Sequence, residues 1–222
     1  MHIYTKTAIE LFRKNANPEI APAMSAYLKY RFPFLGIMAP RRRELFSELN
    51  IININIDDIS LICKELYFQP EREFHHLACE LLVKYAKKQP KEFIFEYEYF
   101  ITNNSWWDSV DTIVPNALAT HFKYFPELVN DFIPKWLTSG NIWLQRSCVL
   151  FQLKYKKEVD TVLMTQIITN LAHSNEFFVQ KAIGWMLREY SKTYPEFVLQ
   201  FTKNQTLKPL SKREALKRIH KN

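Results

Sequence analysis

An all-helical fold is predicted by three features of the sequence. Glycine occurs only at positions 36, 140 and 184 of 222 residues, too few for the left-handed positions that tight β-hairpins require. Apolar residues recur at helical spacing in one short segment after another. Nearly every segment is bounded by Pro, Asn or Asp, residues that start and stop helices. With 47% apolar residues the chain can bury a sizeable core, and its length allows one or two domains.

The helical segments follow in order. Thr5 to Lys14, Pro18 to Arg31, Pro40 to Leu49, Asp57 to Tyr67 and Pro70 to Lys87 make up the first part. Pro90 to Phe100, Ser105 to Phe122, Pro126 to Leu137, Ile142 to Lys156, Asp160 to Leu171, Glu176 to Thr193, Pro195 to Thr202 and Ser211 to Ile219 make up the rest. They are too short and too numerous for a coiled coil. Tyr124-Phe125-Pro126-Glu127-Leu128-Val129 is echoed by Thr193-Tyr194-Pro195-Glu196-Phe197-Val198, each closing one helix and starting another. Recurring helical hairpins stack into an α-solenoid. A globular helical bundle is the alternative that this pattern leaves open.

One heptapeptide stands out, Ser105-Trp106-Trp107-Asp108-Ser109-Val110-Asp111. Ser105 is expected to cap a helix, with Asp108 in its first turn and Trp106 in the core. Trp107 and Asp111, four residues apart, share one helix face and offer an indole beside a carboxylate. A carboxylate buried in a helix needs a partner to offset its desolvation. Two later segments carry further candidates. Arg146 lies among apolar neighbours in Asn141 to Val149. Trp185 follows Gly184, where another backbone or a ligand can approach closely. Lys154, Lys156, Lys157, Lys181 and Arg188 add positive charge suited to phosphate oxygens, or to a solvated face.

The formal charge of +7 together with 15% aromatic residues favours an acidic partner, nucleic acid first. Cys63, Cys79 and Cys148 are widely spaced and lack the clustering of a disulfide framework or a zinc site. No metal and no cofactor is expected, and the cysteine usage suits a reducing, cytoplasmic compartment. No apolar stretch reaches membrane-spanning length.

Five strings, in order, resemble the AlkD-type family of bacterial DNA alkylation repair glycosylases. They are Arg31-Phe32-Pro33-Phe34-Leu35-Gly36-Ile37, Ser105 to Asp111, Asn141-Ile142-Trp143-Leu144-Gln145-Arg146, Glu176 to Trp185, and Pro209-Leu210-Ser211-Lys212-Arg213-Glu214-Ala215. The resemblance implies a right-handed superhelix of HEAT-like repeats with a concave basic face. It implies a monomeric enzyme that binds double-stranded DNA and releases cationic N3- and N7-alkylated purines, leaving an abasic site. By the same resemblance Asp111 is the catalytic carboxylate, Trp107 and Trp185 are aromatic walls against the deoxyribose, and Arg146 and Tyr27 contact DNA. Arg41 and the Asn103-Asn104 pair depart from the family pattern. A noncatalytic HEAT-like protein that binds DNA structures is the alternative function, and a protein-interaction scaffold a third.

The implied chemistry is consistent with first principles. An alkylated purine already carries positive charge and leaves readily, so the enzyme's task is the sugar. Charge that develops on the deoxyribose is stabilised by a carboxylate and by aromatic faces.

Overall fold

Helices are the only regular elements of the computed structural model, which describes residues 1–219. The chain divides into two compact units, Met1–Pro90 and Lys91 onward. No helix among the described residues is long and apolar enough to cross a membrane.

The first unit contains α1 (Ile3–Lys14), α2 (Ala21–Tyr27), α3 (Ala39–Leu49), α4 (Ile59–Tyr67) and α5 (Arg72–Tyr85). On α1, Tyr4, Ala8 and Phe12 repeat every four residues and are fully buried, as one apolar helix face requires. Phe12 stacks on Phe74 of α5 with ring centroids 5.6 Å apart. The Arg31-to-Ile37 string is held by a buried acid: Glu73 accepts the backbone N–H groups of Leu35, Gly36 and Ile37 at 2.9, 2.9 and 3.0 Å. Burial pushes the Glu73 carboxyl up, and these bonds only partly pull it back. Gly36 is required there, because its φ is +85° and a Cβ would lie 1.9 Å from the Asn17 carbonyl oxygen. The predicted helix from Pro18 to Arg31 is shorter in the structure. It ends at Tyr27, and the chain then turns through Lys29 and Tyr30 in the left-handed region.

The second unit contains α6 (Ile94–Thr102), α7 (Trp107–Ile113), α8 (Ala119–Tyr124), α9 (Glu127–Leu137), α10 (Ile142–Leu150), α11 (Thr161–Leu171), α12 (Phe177–Tyr190), α13 (Pro195–Asn204) and α14 (Pro209–Leu216). Several starts follow from their capping residues. Asn141 Oδ1 accepts the N–H groups of Trp143 and Leu144 at 2.9 and 3.2 Å, and Asp160 accepts that of Leu163 at 2.9 Å. The predicted echo is a shared turn: Phe125 has φ −130° and ψ 69°, Tyr194 φ −132° and ψ 68°. Each precedes a proline, which excludes the helical region for the residue before it. Side chains also tie positions one repeat apart. Trp136 Nε1 donates to Glu98 and Tyr155 Oη to the Ala119 carbonyl, 38 and 36 residues apart. This recurrence supports stacked helical hairpins within the unit.

Two local expectations are corrected. Ser105 does not cap α7; its hydroxyl donates to the Ile101 carbonyl at 2.6 Å and closes α6, while α7 starts from the extended backbone of Trp106. The helix expected from Ser105 to Phe122 is interrupted by a π-helical turn, Val114–Leu118, between α7 and α8. Pro115 has no N–H to give the Asp111 carbonyl, so the regular α-helical ladder is broken at that point.

Gly184 admits backbone, not a ligand. A Cβ there would stand 2.5 Å from the Glu214 Cβ and 2.9 Å from the Ser211 carbonyl oxygen, so α14 lies directly on α12. Gly184→Ala therefore destabilises the protein despite alanine's better helix propensity. The expected net loss is about 1–2 kcal/mol, read as a lower midpoint of thermal unfolding.

Candidate functional site

α7 and α10 bring the central pair together. Arg146 Nε donates to Asp111 Oδ1 and Nη2 to Oδ2, both at 2.8 Å. A third N–H, on Nη1, donates to the Phe178 carbonyl of α12. Three helices thus converge on one guanidinium. The Arg146 side chain is 5% exposed and that of Asp111 16%. This is the partner that a buried Asp111 required, and its planar fork matches both carboxylate oxygens.

The pair forms part of the wall of an open cavity of about 250 Å³, lined by Trp107, Asp111, Arg146, Phe177, Phe178 and Lys181. Trp107 stands one turn before Asp111 on the same face of α7. Phe178 is held from behind by Trp106 and Trp143, each with its ring centroid 5.0 Å away. Trp106 packs against these rings but is half-buried, at the edge of the core and not inside it. Phe177 remains 57% exposed. Burial pushes the Asp111 carboxyl up and the Arg146 bonds pull it down, with Asp108 adding to the upward side; the balance lies above the ordinary aspartate value.

The remaining expected residues fall in three places. Trp185 is half-buried on α12 and does not line the cavity, though with Phe178 and Lys181 it shares the i, i+3, i+7 face of that helix. Lys181 and Arg188 are both engaged by Glu214 of α14, at 3.1 and 2.7 Å. Burial acts to raise the Glu214 carboxyl, but the two cations outweigh it and hold it below the usual glutamate value. One carboxylate between two cations leaves a net positive charge beside the cavity. Lys154 is exposed and donates to Asn116 Oδ1 at 2.6 Å. Tyr27 belongs to the first unit, 71% exposed at the end of α2.

Sequence reasoning assigned no role to three residues that build the site: Phe177, Phe178 and Glu214. The two phenylalanines had a signal, since adjacent aromatic residues open a helix that continues into Lys181 and Trp185. Glu214 had none, because its partners lie 26 and 33 residues earlier in the chain. The three cysteines, Cys63, Cys79 and Cys148, are all buried.

The model of a family described as DNA alkylation repair enzymes matches residues 8–219. A solved structure from Enterococcus faecalis, described as a predicted DNA alkylation repair enzyme, is 30% identical in sequence with a TM-score of 0.84. The match covers 93% of this chain and 98% of that one. No curated protein matches the chain.

Proposed function

The chain belongs to the DNA alkylation repair enzyme family, and we propose that it is a monofunctional DNA glycosylase acting on cationic N3- and N7-alkylated purines such as 3-methyladenine and 7-methylguanine. It binds duplex DNA as a cytoplasmic monomer, working as one HEAT-like domain over residues 1–222. The observation that carries this reading is a carboxylate held rigidly in an aromatic-walled cavity.

In this mechanism Asp111 faces the deoxyribose of the damaged nucleotide. As the glycosidic bond stretches, the base departs with the bonding electron pair, neutralising its own charge, and positive charge grows on the sugar. Asp111 stabilises that charge, with Trp107 and Trp185 contributing their π faces. Arg146 occupies two of the carboxylate's roughly four acceptor sites, and the others are available to orient the attacking water. As the water oxygen adds to the anomeric carbon, its proton passes to the Asp111 carboxylate and from there to solvent. The guanidinium has five N–H groups, three of them engaged; the others are available to a phosphate oxygen. Lys154, Lys181 and Arg188 add attraction for the DNA backbone, and Tyr27 adds a contact from the first unit.

The test is chromatographic release of 7-methylguanine from methylated duplex by the purified protein. Only ionised Asp111 can act, so the rate falls on acidification. Because the carboxyl is raised, the midpoint of that fall lies above the ordinary aspartate value of about 3.9. An acid limb at or below that value, with the protein folded throughout, contradicts the assignment.

The Arg146 clamp favours one second reading, a noncatalytic DNA-structure binder in which the pair is purely architectural. Tight binding of branched DNA without base loss, indifferent to Asp111→Asn, would establish it.

A further inference from the structure

We propose that the turn closing α2 is a phosphate-docking element for duplex DNA, with Lys29 and Tyr30 as its contact residues; this rests on the reading that the protein acts on DNA. The Tyr30 N–H donates to the Ser25 carbonyl at 2.8 Å and the Lys29 N–H to the Ala26 carbonyl at 3.0 Å. These nested bonds close a helix through a left-handed residue, a position ordinarily held by glycine because a Cβ there crowds the backbone. Here φ is +59° at Lys29 and +56° at Tyr30. Two consecutive residues with full side chains therefore carry strain.

The fold gives neither side chain an interior role. In such turns the residue after the left-handed position commonly packs back on the helix, but Tyr30 is 77% exposed. The backbone is anchored on both sides instead. Leu28 is 2% exposed, Ser25 Oγ donates to the Phe32 carbonyl at 2.8 Å, and the Glu73 carboxylate holds residues 35–37. Strain fixed by anchors while the strained side chains stand in solvent indicates a partner outside the molecule. Its charge follows from Lys29 itself in a stretch, residues 20–43, that contains no Asp or Glu; Arg41 and Arg42 of the same stretch are already paired, with Glu44 and Glu80. An ammonium and a phenol at adjacent positions both donate to phosphate oxygens, which a duplex backbone presents in a continuous row.

Fluorescence anisotropy of the full-length protein with an undamaged labelled duplex, across a salt series, tests this. Lys29→Gly and Tyr30→Gly are each expected to weaken affinity about threefold to tenfold, and Lys29→Gly to make the slope of log K against log salt shallower by about 0.9. Both variants are expected to melt about 2 °C higher, because glycine relieves the strain. Greater stability with weaker binding is a combination that a folding role does not produce. Base release from alkylated duplex is expected to fall at limiting protein in step with the lost affinity and to recover as protein is raised. Unaltered affinity overturns the proposal while leaving the glycosylase reading intact, and so does lost affinity accompanied by a lower melting point. If the unsubstituted protein binds no duplex at low salt, the proposal and the DNA reading fall together.

Discussion

On the proposed glycosylase reading, Asp111→Asn is expected to slow release of 7-methylguanine about 100- to 1000-fold, the range for removing one preorganised electrostatic contact to a transition state. The change preserves shape and removes the negative charge that opposes the growing positive charge on the sugar. Duplex affinity stays within about twofold, since the carboxylate makes no attractive contact with phosphate and its loss removes a repulsion. The variant still folds, although one amide N–H group now faces a guanidinium N–H, a mismatch costing about 1–3 kcal/mol. Circular dichroism alongside the release assay separates the two effects. Release at the unsubstituted rate by folded Asp111→Asn would remove Asp111 from the chemistry.

Arg146→Ala produces the larger effect on stability. It leaves the Asp111 carboxylate buried without its counter-charge and the Phe178 carbonyl without its donor. Breaking a buried pair from one side costs about 3–5 kcal/mol, and partial exposure of Asp111 places the expected loss near the lower end. At this chain length each kcal/mol lowers the melting point by about 2–4 °C. The carboxylate also loses the fork that fixes its orientation, so base release is expected to fall with the stability. Arg146→Ala combined with Asp111→Asn recovers part of the stability, because no charge is left stranded, and recovers none of the activity. Strictly additive losses in the double variant would mean that the two side chains do not act as a pair.

Much of the fold was legible because it rests on local signals. The scarcity of glycine, helical periodicity and punctuation by Pro, Asn and Asp placed most helices to within a few residues, and Asn141 and Asp160 cap the helices that they precede. The Phe125 and Tyr194 turns were legible because a proline constrains its predecessor wherever it occurs. What was missed depends on competition between distant groups. The Ser105 hydroxyl could serve either neighbouring helix, and no local rule decides between them. Lys181 and Arg188 look like free cations in the sequence, and only the packing of α14 on α12 brings Glu214 between them. Gly184 was recognised as a point of close approach, but the approaching group was known only after folding. Of the site itself, Trp107 and Asp111 could be paired by helical spacing alone, whereas the join between Asp111 and Arg146 spans 35 residues.

The π turn at Val114–Leu118 also acts as a phase shifter. An α-helix advances about 100° per residue, and a π turn accommodates one extra residue within the same run. The faces before and after it are thereby rotated against each other by about that angle. Asp111 and Trp107 can face the cavity while Leu118 and Phe122, further along the same run, remain buried. A regular helix would couple these two orientations, so that turning one toward the cavity would turn the other out of the core. The missing N–H of a single proline uncouples them.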